Sequence, residues 1–407
     1  MKQDMSILSS AYENEFSLDN GRIYLNHAAQ SPWPRRMLAA IERLSREMNM
    51  GIPRHREWLA VEQRLRKRLQ QLIGAPSSED IALLKNTSEG LSIVAHGIGW
   101  RAGDNIVITD QEFPSNRIVW QSLASQGVEV REAPISAGAT PSDDDAPEET
   151  PETIIEHTCD EHTRMIAVSS VQYATGLRMD SGRIGRFCRQ KDILFCVDAI
   201  QSLGALSMDV QSIDADFLVA GGHKWMLGPE GIAVFYCRRE LRDRLILRQH
   251  GWHMVEDYLN FDNKAWRSAD SARRFECGSP NTLGIHALDA SLSWLLEVGM
   301  DRVSQGILRN TAYLLQAIAE NEKLSPLFPA MVSDNPNRRS GIVTFHAPGM
   351  ATRELFRELT ASGIICAPRG GGIRFSPHFY TPMAHLESAM ERVGDLASGV
   401  SGKTQKR

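Results

Sequence analysis

Six short apolar runs recur along the chain: Ile81-Ala82-Leu83-Leu84, Asn105-Ile106-Val107-Ile108, Met165-Ile166-Ala167-Val168, Leu194-Phe195-Cys196-Val197, Phe217-Leu218-Val219-Ala220 and Ile232-Ala233-Val234-Phe235. Continuous runs of this length suit strands covered on both faces, because a strand with one face in water would alternate instead. Amphipathic stretches separate them. Residues 34–48 and 57–73 carry helical spacing, with Arg54-His55-Arg56 in the loop between. This alternation predicts an α/β fold, a mostly parallel sheet between layers of helices. Near Pro280 the pattern changes to longer helices, and after Gly341-Ile342-Val343-Thr344-Phe345 a second, smaller α/β unit runs to the end. The organisation expected is a large domain over 20–285 and a small C-terminal domain over 286–407, with 1–19 packing on the small one.

A chain of 407 residues, 42% of them hydrophobic, is long enough for two cores, since single cores stop growing beyond about 250–300 residues. Its net charge of −5 offers nothing to nucleic acid, and no apolar run approaches the ~18 residues of a membrane span. Met1-Lys2-Gln3-Asp4 opens no secretory signal. The cysteines Cys159, Cys188, Cys196, Cys237, Cys277 and Cys366 show no C-x-x-C spacing and read as reduced thiols of a cytoplasmic protein, with no metal site. The acidic, proline-bounded stretch 141–149 has no apolar periodicity and reads as a surface loop or an acidic docking site. The last residues, 401–407, read as frayed.

Two of the apolar runs end in reactive groups. Asp198 follows Leu194-Phe195-Cys196-Val197 at the carboxyl end, the edge at which open α/β sheets bind ligands. Phe217-Leu218-Val219-Ala220 hands over to Gly221-Gly222-His223-Lys224. A lysine so placed can form a Schiff base with an aldehyde cofactor, while a carboxylate keeps a pyridine nitrogen protonated; together they point to pyridoxal phosphate. Taken singly, Lys224 reads as a solvated lysine and Asp198 as a helix cap. Lys85-Asn86-Thr87-Ser88-Glu89-Gly90 follows a strand and opens a helix, which is either an anion site or an ordinary turn capped by Thr87 or Ser88.

With these motifs the chain resembles the class V aminotransferase group of fold-type I pyridoxal-phosphate enzymes, which includes cysteine desulfurases, kynureninases and isopenicillin-epimerase-like proteins. The resemblance runs from Tyr24-Leu25-Asn26-His27-Ala28-Ala29 to Arg374-Phe375-Ser376-Pro377-His378. It implies that Lys224 carries the cofactor, that Asp198 meets the ring nitrogen and Gln201 the ring oxygen, and that Thr87, Ser88 and His223 hold the phosphate. It further implies that Phe113 lies on the ring, that Arg374 binds the substrate carboxylate through its planar fork, and that Ser279 reaches the partner's site in a homodimer. His27, Tyr173, Arg369 and His378 are lesser pocket candidates, each of which, taken singly, reads first as structural.

Three positions depart from the desulfurase pattern. Gly221 stands where those enzymes commonly carry a serine, and Phe113 where they carry a histidine; Phe cannot exchange a proton. The stretch 368–373 contains no cysteine where a desulfurase places its nucleophile. Cys366 lies just upstream in the apolar run Gly363-Ile364-Ile365-Cys366-Ala367, an inert setting for a thiol. The expected activity is pyridoxal-phosphate chemistry on an amino acid or amine. Transamination is the first expectation, with epimerisation and β-elimination or C–S cleavage as alternatives. A catalytically silent cofactor-binding regulator is opposed by the intact set Lys224, Asp198 and Arg374.

Overall fold

All six apolar runs form strands in a computed structural model, which describes residues 15–18, 21–52, 55–136, 149–328 and 330–399. The strands are β1 (Ile81–Leu84), β2 (Asn105–Thr109), β4 (Thr163–Ser169), β5 (Leu194–Asp198), β6 (Phe217–Gly221) and β7 (Ala233–Cys237), joined by an edge strand β3 (Glu129–Ala133). In spatial order the sheet reads β3-β2-β4-β5-β6-β7-β1. Neighbours pair in parallel except at β7, which runs against both β6 and β1. The carboxyl ends of β1, β2, β4, β5 and β6 therefore open on one edge. Alternate residues of each strand enter two separate cores: Val197, Leu218 and Val234 on one face, Cys196, Val219 and Phe235 on the other. Two-sided burial explains why these strands read as unbroken apolar runs.

Helices α1 (Arg35–Asn49) and α2 (His55–Ile73) lie against α7 (Thr282–Val298), where Arg64 and Arg68 of α2 both pair with Asp289. Helix α3 (Thr87–Gly97) sits on β6 so closely that a Cβ at Gly90 would fall 2.6 Å from Val219 Cγ1. The other helices over the large sheet are α4 (Ser115–Gln121), α5 (Pro151–Thr158) and α6 (Ser181–Lys191). His55 and Arg56, expected in a loop, form the first turn of α2; Arg54 lies outside the described residues. So do 1–14, residues 141–148 of the acidic stretch, and 401–407. Phe16 stacks on Tyr380 at 4.1 Å and meets Trp294 edge-on.

The C-terminal part holds a four-stranded antiparallel sheet. Its strands β8 (Ser325–Pro326), β9 (Val343–His346), β10 (Ala367–Arg369) and β11 (Gly372–Phe375) stand in the order β10-β11-β9-β8. It is accompanied by α8 (Met300–Ala319), α9 (Thr352–Ala361) and α10 (Met383–Ala397). Strands β10 and β11 are joined by Gly370 and Gly371 alone, both at positive φ (57° and 85°), the signature of a two-residue hairpin turn. Ile23–Tyr24 pairs in parallel with Ile364–Ile365, and Asn26 bridges to Ser376, so the chain near its start is stitched to the C-terminal part beside the open edge of the large sheet.

Candidate active site

Asp198 ends β5 and Lys224 follows β6, which places both at the open edge between adjacent parallel strands. Asp198 is buried, and its Oδ1 accepts a hydrogen bond from Ile200 N at 3.0 Å. Burial pushes its carboxyl up; the Ile200 N–H and Lys224 work against this, and the buried Glu112 adds to it. Burial pushes the Lys224 amine down, opposed by Asp198 and assisted by the positive charges of Arg374 and Arg369. An amine so placed gives up its proton more readily than a solvated lysine, as both bond formation to an aldehyde and proton transfer at carbon require. The ring of Phe113, 42% exposed, stands with its centroid 5.7 Å from Lys224 Nζ and meets Tyr173 edge-on at 5.2 Å.

Helix α3 begins at the same edge. Its cap is Asn86, neither Thr87 nor Ser88: Asn86 Oδ1 accepts from Glu89 N at 2.9 Å, and Glu89 reaches back to Lys85 N. The first-turn N–H groups of Thr87 and Ser88 are thus left for an anion at the positive end of the helix. Thr87 Oγ1 accepts from Gly221 N at 3.0 Å, so its own proton remains to donate, and the Ser88 hydroxyl bridges to Ser115. A Cβ at Gly221 would lie 3.1 Å from His223 Nδ1; the imidazole crowds the space a serine side chain would need.

Arg374, on β11, is 2% exposed. Its Nη1 donates to the Tyr173 carbonyl at 2.8 Å, its Nε has no partner, and among the described residues no carboxylate pairs with it. Burial, with help from Arg369, pushes its guanidinium down to about 10. An unpaired buried guanidinium is costly. It is what a site built for a carboxylate looks like before the carboxylate arrives. Arg369 is exposed and donates to its neighbour's carbonyl, Pro368 O.

The remaining residues have other surroundings. His27 donates from Nδ1 to Ser376 O at 2.9 Å, and its Nε2 meets the Tyr380 hydroxyl at 2.7 Å. His378 accepts from Phe379 N at Nδ1, so its Nε2 donates to Trp225 O at 3.1 Å. Both rings are wholly buried with both nitrogens engaged, so together they brace the chain beside the site. Gln201 donates to Ala28 O and accepts from Trp225 Nε1, each at 3.0 Å; one amide N–H remains for a ring oxygen. Ser279 is exposed in the loop before α7, and among the described residues its hydroxyl makes no hydrogen bond. Cys366 is buried, and burial alone pushes its thiol up to about 12.

One residue without a role in the sequence reading proves central. Buried Glu112 gathers five donors: Thr109 Oγ1, Ser169 N and Gln172 Nε2 on Oε1, and Asn116 Nδ2 and Ser169 Oγ on Oε2. It ties the ends of β2 and β4 to α4 and fixes the chain immediately before Phe113. Another acidic pair, Glu62 and Glu276, lies with His253 in metal-ligand reach, but Arg66 bonds both carboxylates.

Around the open edge stand an amine, a carboxylate one strand away, an aromatic plate, a helix N-terminus with free donors and an orphaned guanidinium. These residues fit pyridoxal phosphate and an amino acid. The aminotransferase class-V family model matches residues 23–379. The chain belongs to the aminotransferase class-V family. A probable cysteine desulfurase of Methanothermobacter thermautotrophicus is 27% identical over 397 residues, covering 92% of this chain and 94% of that protein. The apo cysteine desulfurase of Thermococcus onnurineus NA1 superposes with a TM-score of 0.83 at 25% identity, covering 96% and 98% of the two chains. The cystine C–S lyase C-DES, solved with its reaction product cysteine persulfide, shares the fold at 21% identity and a TM-score of 0.83, covering 92% of this chain and 98% of that one. This class-V chain is accordingly a pyridoxal-phosphate enzyme. Such relatives carry out sulfur chemistry, so transamination gives way as the first expectation to C–S cleavage.

Proposed function

We propose that this enzyme cleaves the Cβ–S bond of a β-thio-substituted amino acid by α,β-elimination, without passing sulfur to a cysteine of its own. The observation that carries this reading is the β10–β11 hairpin. Where a desulfurase would place a nucleophilic cysteine, this chain has two strands joined by two glycines, no cysteine in 368–373, and no length of loop to swing one inward. Cys366 faces the interior as a protonated thiol, which is not the nucleophilic form. The desulfurase likeness therefore supports C–S chemistry, while the hairpin argues against a protein-bound persulfide.

When bound, the cofactor supplies an aldehyde for the substrate amine and a ring that takes up electron density from the α-carbon. In this reading Thr87, Ser88 and His223 hold its phosphate, Asp198 its ring nitrogen, Gln201 its ring oxygen, and Phe113 its face. Arg374 grips the substrate carboxylate and so fixes which α-carbon bond stands toward Lys224. Lys224 Nζ takes the Cα proton; the Cβ–S bond then breaks with its electron pair leaving on sulfur, and addition of water yields a 2-keto acid and ammonium. Phe113 has no proton to give the departing sulfur, which favours substrates whose sulfur leaves readily as an anion. The protein acts as a homodimer in which Ser279, unbonded among the described residues of its own protomer, donates to the phosphate across the interface.

The test is product analysis with cystine and cysteine as substrates. Elimination gives keto acid and ammonium in equal amounts. Alanine in place of keto acid would return the protein to desulfuration, and pyridoxamine phosphate would return it to transamination.

A further inference from the structure

Resting on the elimination reading, we propose that the phenol of Tyr173 gives its proton to the departing sulfur, which brings amino acids with reluctant sulfur leaving groups, such as S-alkyl cysteines, within reach of this enzyme. A sulfur that leaves readily as an anion needs no donor, whereas a thioether sulfur gains from one in the transition state. Phe113 cannot be that donor, and Lys224 is committed to the Cα proton. His27 and His378 have both ring nitrogens engaged, and the Cys366 thiol is buried. Tyr173 is half-buried, and among the described residues its hydroxyl makes no hydrogen bond.

The fold holds residue 173 rigidly while leaving that hydroxyl free. Its carbonyl accepts from Arg374 Nη1 at 2.8 Å, and its ring meets Phe113 edge-on at 5.2 Å, with Lys224 Nζ 5.7 Å from the Phe113 centroid. On one side Gln172 Nε2 donates to Thr109 Oγ1 and Glu112 Oε1. On the other, Thr344 Oγ1 donates to Ala174 O, and Thr175 Oγ1 to Gln111 Oε1 at 3.1 Å. Of the side chains from 172 to 175 with a proton to donate, only the phenol has no acceptor among the described residues. A free donor on a pinned segment is pre-organised for a partner that arrives with the substrate. Tyr173 spans the interval between the guanidinium that grips the carboxylate and the plate on the cofactor, so a Cβ substituent leaving from that interval meets its hydroxyl. The phenol oxygen also lies within electrostatic reach of Arg374, whose positive charge stabilises it once the proton is gone. In the step, the Cβ–S bond breaks with its electron pair passing to sulfur, the phenol proton moves to sulfur, and a neutral thiol departs. The phenolate then takes a proton from water, while Lys224 holds the one from Cα.

Tyr173→Phe removes the hydroxyl alone, since neither the carbonyl bond to Arg374 nor the ring contact with Phe113 involves it. The probe substrates for the holoenzyme are S-ethylcysteine, whose thiolate leaves poorly, and S-(4-nitrophenyl)cysteine, whose thiolate leaves well. In the variant kcat/KM for S-ethylcysteine should fall on the order of 10²-fold, the usual worth of a general acid, and that for the nitrophenyl substrate by much less, so the ratio between them rises tenfold or more. Calorimetric binding of 3-(ethylthio)propanoate, a thioether that cannot react because it has no amine, should agree within about threefold between variant and parent, as for a contact made only in the transition state. An unchanged ratio assigns the proton to Lys224 or water and overturns the donor. So does a loss of thioether binding as large as the loss of kcat/KM, which would make the hydroxyl a binding group, and so does a parent enzyme that turns over the nitrophenyl substrate alone. Product analysis separates this from the underlying reading. Keto acid from both substrates with an unchanged ratio sinks the donor and spares elimination, whereas no keto acid from either in the parent enzyme sinks elimination and the donor with it.

Discussion

Glu112→Gln removes a charge while keeping the shape, and the hydrogen bonds around it determine the cost. Oε1 faces Thr109 Oγ1, Ser169 N and Gln172 Nε2; Oε2 faces Asn116 Nδ2 and Ser169 Oγ. Hydroxyls can rotate and Gln172 can flip, since its Oε1 has no partner. Two donors cannot adapt. Ser169 N is backbone, and Asn116 is locked because its Nδ2 also donates to Ala167 O while its Oδ1 accepts from Trp120 Nε1. Whichever way the new amide is turned, its NH2 confronts one locked donor in a dry site. Losing a charged acceptor and stranding one buried donor costs about 2–3 kcal/mol, whereas Glu112→Asp, which keeps the charge, should cost less. The check is the urea unfolding midpoint of the cofactor-free protein at constant slope, for Gln against Asp. A Gln variant within about 0.5 kcal/mol of the parent, the ordinary scatter of neutral surface changes, would refute the network. Removing the negative charge should also lower the proton affinity of Asp198, visible as a downward shift in the pH titration of the cofactor's absorbance.

Arg374→Met should lower kcat/KM by about 10²–10⁴-fold, as expected for breaking a buried ion pair of about 3–5 kcal/mol. The same variant should raise the thermal midpoint of the unliganded protein, because an unpaired buried charge is gone; a variant less stable than the parent would contradict the orphaned guanidinium. The protein should lose stability on acidification through the histidine brace. His27 is pushed down to about 4 by burial against an ordinary 6.5, so below 6.5 the unfolded chain binds the proton and the folded chain does not. Stability from this group is complete above 6.5 and declines as pH falls toward 4, by about 2 kcal/mol at pH 5, with His378 acting in the same direction. Unfolding midpoints at pH 8 and pH 5 read it, and equal midpoints would contradict the burial of both rings. Mixing inactive Lys224→Ala protomers with inactive Ser279→Ala protomers should restore part of the activity, since one site of each mixed dimer regains every group; strict inactivity of the mixture would argue that Ser279 serves its own chain.

The large sheet was readable because both of its faces are covered, which turns each central strand into an unbroken apolar run. Strand β3 was missed for the complementary reason: at the edge it alternates Glu129, Val130, Arg131, Glu132, with exposed and half-buried positions. Lys224 and Asp198 were visible as charges at the ends of buried strands, a placement that few structural demands explain. Thr87 and Ser88 were noticed for their position, and the alternative that one of them caps the helix stayed open, since Asn, Thr and Ser all cap well and only the geometry shows that Asn86 does so. Glu112 stood in plain view beside Phe113, yet three of its five donors come from Ser169 and Gln172, which only the fold brings to it. His27 and His378 read first as structural from the sequence alone, and the bonds at both of their ring nitrogens agree with that reading. The Gly370-Gly371 turn was noted for close backbone approach, while its consequence, a hairpin where a cysteine loop would stand, follows from the pairing of β10 with β11.

The fate of the sulfur tests the account most directly. The holoenzyme would be incubated with sulfur-labelled cystine, quenched within the first turnovers, and examined by intact-protein and peptide mass spectrometry alongside product analysis. Elimination predicts label only in small-molecule sulfur products, equimolar keto acid and ammonium, and six unmodified cysteines including Cys366. A persulfide on Cys366 or any other cysteine that forms as fast as turnover, with alanine as the carbon product, would contradict it.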